Sequence, residues 1–159
     1  MTAAVLTISD SSFYKTREDL SGPAVKRALE QAGFEVTATD IVADHRIEIE
    51  NSLIRLCDAA KLVVTTGGTG IAGRDVTPEA TNSVCDRLVP GIGERMRSEG
   101  AKSTPLAALS RAICGIRGTS LVLNLPGNPK AATESLAAVI EILPHALDLL
   151  AGKTQHAVS

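Results

Sequence analysis

The stretch Leu62 to Ala80, LVVTTGGTGIAGRDVTPEA, constrains the fold more than any other part of the chain. Leu62, Val63, Val64 and Thr65 form a β-favouring run without polar alternation, the pattern of a central strand buried on both faces. Gly67, Gly68 and Gly70 end that run, open backbone conformations closed to other residues and let a ligand approach the main chain. Thr77, Pro78 and Glu79 then read as an N-cap, a proline at the first helical position and an acid in the first turn. A glycine loop between a strand's carboxyl end and a helix's amino end is where open parallel α/β sheets bind ligands, and its free N–H groups favour anions such as phosphate. The loop lacks the Lys-Ser/Thr ending of a P-loop and a clean G-x-G-x-x-G spacing. Such a turn also serves as a plain tight connection. Arg74-Asp75, directly after the glycines, reads either as part of a site or as a solvated ion pair.

The rest of the chain repeats the strand-helix alternation. Ala3 to Ser9 is an apolar strand closing on the polar cluster Ser9-Asp10-Ser11-Ser12. Phe13 to Leu20 is charged and unpatterned, a surface loop or a lid at the ligand edge. Ser21-Gly22-Pro23 opens a helix with Val25, Ala28, Leu29 and Ala32 at helical spacing, ended by Gly33. Phe34, Val36 and Ala38 alternate with Glu35, Thr37 and Thr39, a strand with one wetter face. Ala43, Asp44 and His45 turn into a helix whose inner stripe is Ile49, Leu53, Leu56, Cys57 and Ala60. This order predicts right-handed βαβ units and a largely parallel sheet with helices on both faces. Asp10, Asp44 and the glycine loop each follow a strand, so all three belong to one carboxyl edge despite lying roughly 30 residues apart, about one βαβ unit.

Further on, Thr77 to Arg87 reads as helical, Pro90-Gly91 as a break, Gly93 to Glu99 as a short helix, and Pro105 as the start of another helical piece. Ala112 to Ile116 and Leu121 to Leu125 are apolar runs joined by Arg117-Gly118-Thr119-Ser120, a hairpin that makes the sheet mixed. Leu125-Pro126-Gly127-Asn128-Pro129 is a stiff turn into a helix bearing Ala132, Leu136, Val139, Ile140 and Leu143, and Pro144 opens a last helical segment. The fold class is therefore α/β, a three-layer α/β/α sandwich with a mostly parallel sheet and one antiparallel strand or hairpin. One domain over residues 1–152 and a polar tail over 153–159 are expected.

Composition excludes several functions. The net charge is −2 and the 16 Lys and Arg residues form no basic run, which leaves no electrostatic footprint for nucleic acid. Aromatics at 2% offer few stacking platforms. The amino-terminal MTAAVLTISD has no positive n-region, and no apolar run approaches the ~20 residues of a membrane span, so a cytoplasmic protein with no membrane partner is expected. Cys57, Cys85 and Cys114 lack C-x-x-C spacing and a nearby histidine cluster, and read as buried small apolar residues. Oxygen-only ligands such as Asp10, Asp44 and Asp75 favour a hard cation, Mg²⁺, held by one or two carboxylates plus substrate phosphates. Arg74 is a candidate phosphate clamp. Singly, each aspartate also reads as a cap or turn former. Together they suggest phosphoryl or nucleotidyl transfer, which depends on positioning and charge neutralisation more than on a protein nucleophile.

TTGGTGIAGRDVTPEA, with Ser9-Asp10, Asp19-Leu20-Ser21-Gly22-Pro23, Pro90-Gly91, Leu109-Ser110-Arg111 and Leu125-Pro126-Gly127-Asn128-Pro129-Lys130, resembles the molybdopterin adenylyltransferase family (MogA/MoaB type) of molybdenum-cofactor synthesis. The likeness runs from about Val5 to about Leu150. It implies a molybdopterin-binding-like fold, usually a homotrimer, that takes molybdopterin and Mg-ATP, joins AMP to the pterin's terminal phosphate and releases pyrophosphate, with possible contact to other cofactor-biosynthesis proteins. Carried over by motif, Asp75 and Asp44 are the catalytic carboxylates. Asp10, Gly67, Gly68, Thr69, Gly70, Arg74 and Thr77 handle nucleotide, pterin and metal, and Ser110, Pro126, Gly127 and Asn128 line the pocket. Many relatives have proline and a second acid where this chain has Ala43 and His45, which implies a softer turn and one carboxylate fewer. Two alternatives remain: a non-catalytic molybdopterin-binding or assembly protein of the same family, and a nucleotide pyrophosphatase of the competence-damage type.

Overall fold

A computed structural model of the chain describes residues 1–153. In chain order the elements are β1 (Thr2–Ile8), α1 (Asp10–Phe13), α2 (Ser21–Gln31), β2 (Glu35–Val42), α3 (Arg46–Ala59), β3 (Leu62–Thr66), α4 (Thr77–Val84), β4 (Arg87–Leu88), α5 (Pro90–Ala101), a 3-10 turn (Pro105–Leu109), β5 (Cys114–Arg117), β6 (Ser120–Leu125), α6 (Pro129–Val139) and α7 (Leu143–Leu150). The expected polar tail lies outside the described residues except for Lys153, whose ammonium meets Asp148.

One six-stranded sheet has the order β2-β1-β3-β6-β5-β4. β1 pairs in parallel with both β2 and β3, and β3 with β6, in a register that sets Val5 beside Val64 and Val64 beside Leu123. β5 runs antiparallel to β6 and to β4, so it is the one reversed strand of this sheet. β3 is buried along its whole length, as its unbroken apolar run demands of a strand with neighbours on both sides. β2 lies at the sheet's edge, which explains its alternation of exposed and half-buried residues.

The side-chain period of two sends alternate strand residues into two separate cores. Ala3, Val5, Leu62, Val64, Leu121 and Leu123 pack on one face against Val25 and Leu29 of α2, Met96 of α5, Leu136 of α6 and Leu147 of α7. Ala4, Leu6, Val63 and Val122 pack on the other against Ile49, Leu53 and Leu56 of α3 and Ala80 of α4. The molecule is the expected α/β/α sandwich. The cysteines behave as small apolar residues: Cys57 and Cys114 are buried, Cys85 is half-buried, and burial pushes their thiols up to about 12, 12 and 11 respectively. Among the described residues, no helix is long and apolar enough to cross a membrane.

Three local expectations differ from the structure. Val76, not Thr77, is the N-cap of α4, because the Thr77 hydroxyl is spent on the Gly67 carbonyl at 2.9 Å. α4 stops at Val84, and Arg87–Leu88 becomes the outermost strand instead of a last helical turn. Pro90 begins α5 instead of breaking a helix, since proline lacks only an N–H that the first turn leaves unpaired anyway.

Candidate functional site

The parallel strands β1, β2, β3 and β6 deliver their carboxyl ends to one edge, and the residues that follow them are stitched together there. The Asp10 N–H donates to Asp44 Oδ2 and the Asp44 N–H donates to Asp10 Oδ1, each at 3.0 Å. This reciprocal pair ties the β1 exit to the β2 exit. The Gly67 N–H donates to the Leu125 carbonyl at 3.0 Å, and the Thr66 hydroxyl donates to the Pro126 carbonyl at 2.7 Å, tying the β3 exit to the β6 exit.

Gly67 and Gly68 have φ of +103° and +67°, the left-handed region that favours glycine. A side chain on Gly67 would collide with the Ile8 carbonyl, and one on Gly68 with the Thr77 hydroxyl and, at 3.1 Å, with Asp44 Oδ1. The glycines therefore let the loop pass close against the end of β1 and the Asp44 carboxylate. Among the described residues the Gly68 N–H finds no main-chain or side-chain acceptor.

Above this corner lies a cleft of about 420 Å³ lined by Asp44, Asp75, Gly67, Gly68, Gly127 and Asn128 among others. Asp44 Oδ2 takes the Asp10 N–H and Asp75 Oδ2 takes the Ala72 N–H at 3.0 Å. The Oδ1 atom of each accepts nothing from the described residues. Burial pushes the Asp44 carboxyl above its ordinary value; the nearby Asp10 and Asp75 charges add to that, while the Asp10 N–H opposes it.

Asp10 and Arg74 are brought to the same edge in a different relation. Arg74 Nε and Nη2 fork onto the Asp10 carboxylate at 2.5 and 2.9 Å, and Nη2 also reaches the Asp44 carbonyl at 3.2 Å. That fork holds the Asp10 carboxyl below its ordinary value. Asp10 is thus satisfied by protein donors. The carboxylates left for a cation are Asp44 and Asp75, and among the described residues no set of three His, Cys, Asp or Glu side chains could hold a metal by itself. Two hard oxygen donors are the ligand type that suits a divalent cation such as Mg²⁺, which characteristically completes its shell with phosphates and water.

The other expected residues divide. Thr69 and Thr77 are buried behind the loop: the Thr77 hydroxyl bonds Gly67, and the Thr69 carbonyl accepts the Arg111 N–H at 2.8 Å. Gly70 gives its carbonyl to Arg111 Nε at 2.8 Å. Ser110 and Pro126 line a second cavity, of about 510 Å³, between α5, the 3-10 turn and α6; Asn128 lines both cavities and caps α6 through Ala131 N–H at 3.1 Å.

The cleft also contains residues that the sequence reading did not assign to the site. Arg17, Glu18 and Asp19 line it, which places part of the charged Phe13 to Leu20 segment at the ligand edge. Asp19 accepts from the Thr7 hydroxyl at 2.7 Å and from the Gly22 N–H at 3.0 Å, and so satisfies a first-turn N–H of α2 while joining it to β1. Its signal was present in the Asp19-Leu20-Ser21-Gly22-Pro23 motif. Arg111, which lies outside the cleft, had a weaker one, its place beside Ser110.

Fold and edge together define an open α/β sandwich of the molybdopterin-binding class. The family model described as a probable molybdopterin binding domain matches residues 4–145. A molybdopterin adenylyltransferase from Helicobacter pylori strain J99 is 48% identical over 152 residues, covering 93% of this chain and 86% of that protein. One from Escherichia coli K12 is 43% identical over 140 residues, covering 85% and 71%. The crystal structure of the molybdopterin biosynthesis enzyme MoaB from Thermus thermophilus superposes with a TM-score of 0.90 at 47% identity, covering 96% of this chain and 97% of that one. The chain belongs to the MogA/MoaB family of molybdopterin biosynthesis proteins.

Proposed function

We propose that this protein is a molybdopterin adenylyltransferase: it joins the adenylyl group of ATP to the terminal phosphate of molybdopterin and releases pyrophosphate. The observation that carries the reading is that Asp44 and Asp75, each with one oxygen free of hydrogen bonds from the described residues, face a single cleft floored by the Gly67–Gly68 corner. The molybdopterin adenylyltransferases among its relatives support the choice of substrates.

In the reaction a pterin phosphate oxygen attacks the α-phosphorus of ATP, a new P–O bond forms, and the bond to the β-phosphate bridging oxygen breaks. No protein nucleophile is needed, so the residues act by placing charge. Asp44 and Asp75 would hold Mg²⁺, which neutralises phosphate charge as pyrophosphate leaves. The free Gly68 N–H and the amino end of α6, where Asn128 and Pro129 border the cleft, favour phosphate oxygens. Arg74 serves the site through Asp10, as the brace of the β1 and β2 exits. The second cavity, joined to the first through Asn128, is of a size to take the pterin. A homotrimer remains part of this proposal.

Incubation with molybdopterin, ATP and Mg²⁺ should yield adenylylated pterin and stoichiometric pyrophosphate. Absence of product at saturating substrates would assign the chain to binding or assembly. Hydrolysis of ADP-ribose in place of pterin adenylylation would assign it to nucleotide pyrophosphatases.

A further inference from the structure

Arg111 stands between the 3-10 turn and β5, outside the carboxylate cleft, yet its whole guanidinium is turned toward the loop that carries Asp75. Nε donates to the Gly70 carbonyl and Nη2 to the Asp75 carbonyl, each at 2.8 Å. Nη1 donates to the Glu79 carboxylate, and the Arg111 main-chain N–H donates to the Thr69 carbonyl at 2.8 Å. The acceptors thus run from the start of the loop to the first turn of α4. Between them Ile71, Ala72, Gly73 and Arg74 are exposed, and among the described residues their ties are the Arg74 bonds to Asp10 and to the Asp44 carbonyl and the local bonds between Ala72 and Asp75. Arg74 anchors the exposed side of this segment, so without Arg111 its ends at Gly70 and Asp75 would lose their anchor, and the Asp75 carboxylate would move with them.

The chemistry of the acceptors specifies arginine. Two carbonyls and a carboxylate around one planar group call for a rigid fork of N–H donors, which an ammonium cannot supply. Glu79 is bound to this task as well. Its Oε2 is shielded from solvent and has no partner among the described residues, and the Arg111 hydrogen bond holds its carboxyl below the ordinary value. It is retained as a charge, and Arg111 is the cation that meets it. Ser110, the preceding residue, lines the second cavity, so Arg111 also links that cavity to the catalytic loop.

We propose that Arg111 is a positioning residue that fixes the Asp75 carboxylate relative to Asp44, with the half-buried Glu79 as its counter-charge. The proposal rests on the reading that Asp75 acts in adenylyl transfer. A displacement of about 1 Å at a reacting centre can cost on the order of 10²-fold in rate.

The test compares wild type with Arg111→Lys, Arg111→Ala, Glu79→Gln and Asp75→Asn. Arg111→Lys should lower kcat by about 10- to 100-fold while KM for ATP changes less than about 3-fold. Hydrogen exchange should quicken in peptides covering residues 69–76 and stay unchanged in β1, β3 and β6. Methylguanidinium should restore part of the activity of Arg111→Ala, and Glu79→Gln should show a milder form of the same loop-restricted change. Wild-type kcat in Arg111→Lys, or exchange that rises evenly across the sheet, overturns the proposal; if Arg111→Ala fails to fold, the lysine and Glu79 variants decide. Full turnover in Asp75→Asn would instead overturn the underlying reading, while the exchange data still report whether Arg111 fixes the loop.

Discussion

Asp44 is held where its charge is unwelcome. Burial is the main cause of its raised pKa, and Asp10 and Asp75 push in the same direction. A carboxyl whose folded pKa exceeds its unfolded value costs stability while ionised, and the cost fades as pH falls through the raised value. Asp44→Asn keeps an oxygen to accept the Asp10 N–H and removes the charge. Its unfolding midpoint should therefore exceed wild type near pH 7, with the advantage shrinking as pH falls and vanishing near the ordinary aspartate value. Turnover should drop by about 10²-fold in the same variant. Thermal melts across that pH range check the stability claim, and an unchanged midpoint near pH 7 would contradict it. Asp10 and Glu79 have the opposite sign: Arg74 and Arg111 lower their pKa values, so their contribution is present above the ordinary carboxylate values and is lost as pH falls through the lowered ones. On the proposed reading, Asp44 is a residue kept for chemistry against its effect on folding.

At the scale of elements, the joint between β3, β6 and α4 is polar. Asn124 is fully buried, and its Nδ2 donates to the hydroxyls of Thr65 at 3.1 Å and Thr81 at 2.9 Å, while its Oδ1 accepts from the Ile113 N–H at 3.3 Å. Asn124→Ala opens a cavity and strands these groups, so it should cost about 2–4 kcal/mol, read from the urea midpoint; a loss below about 0.5 kcal/mol would contradict the network's role. Periodicity could not show this joint, because Asn124 and Thr65 sit inside runs that read as continuous apolar strands. What periodicity did show was local: the alternation of β2, the unbroken run of β3, and the hairpin before β6. The two-residue β4 was illegible because Arg87 and Leu88 are exposed and their order comes from pairing with β5. Thr77 looked like a cap because its neighbours fit that pattern, whereas its hydroxyl serves a loop carbonyl ten residues back in the chain.

For the molecule as a whole, the order of strands and helices was enough to place Asp10, Asp44 and the glycine loop on one edge, because parallel strands share their carboxyl end. It was not enough to separate their roles. That Asp10 is claimed by Arg74, that Asp44 and Asp75 each keep an oxygen free among the described residues, and that Arg111 reaches Gly70 and Asp75 from the far side of the loop are all outcomes of tertiary contact between distant segments. The central claim is that the carboxylate pair over the glycine corner performs nucleotidyl transfer. The most direct measurement is pyrophosphate release from Mg-ATP in the presence of molybdopterin, comparing Asp75→Asn with wild type at saturating substrates after both show the same unfolding midpoint. A loss of about 100-fold or more in kcat is predicted; turnover within a few-fold of wild type would contradict the account.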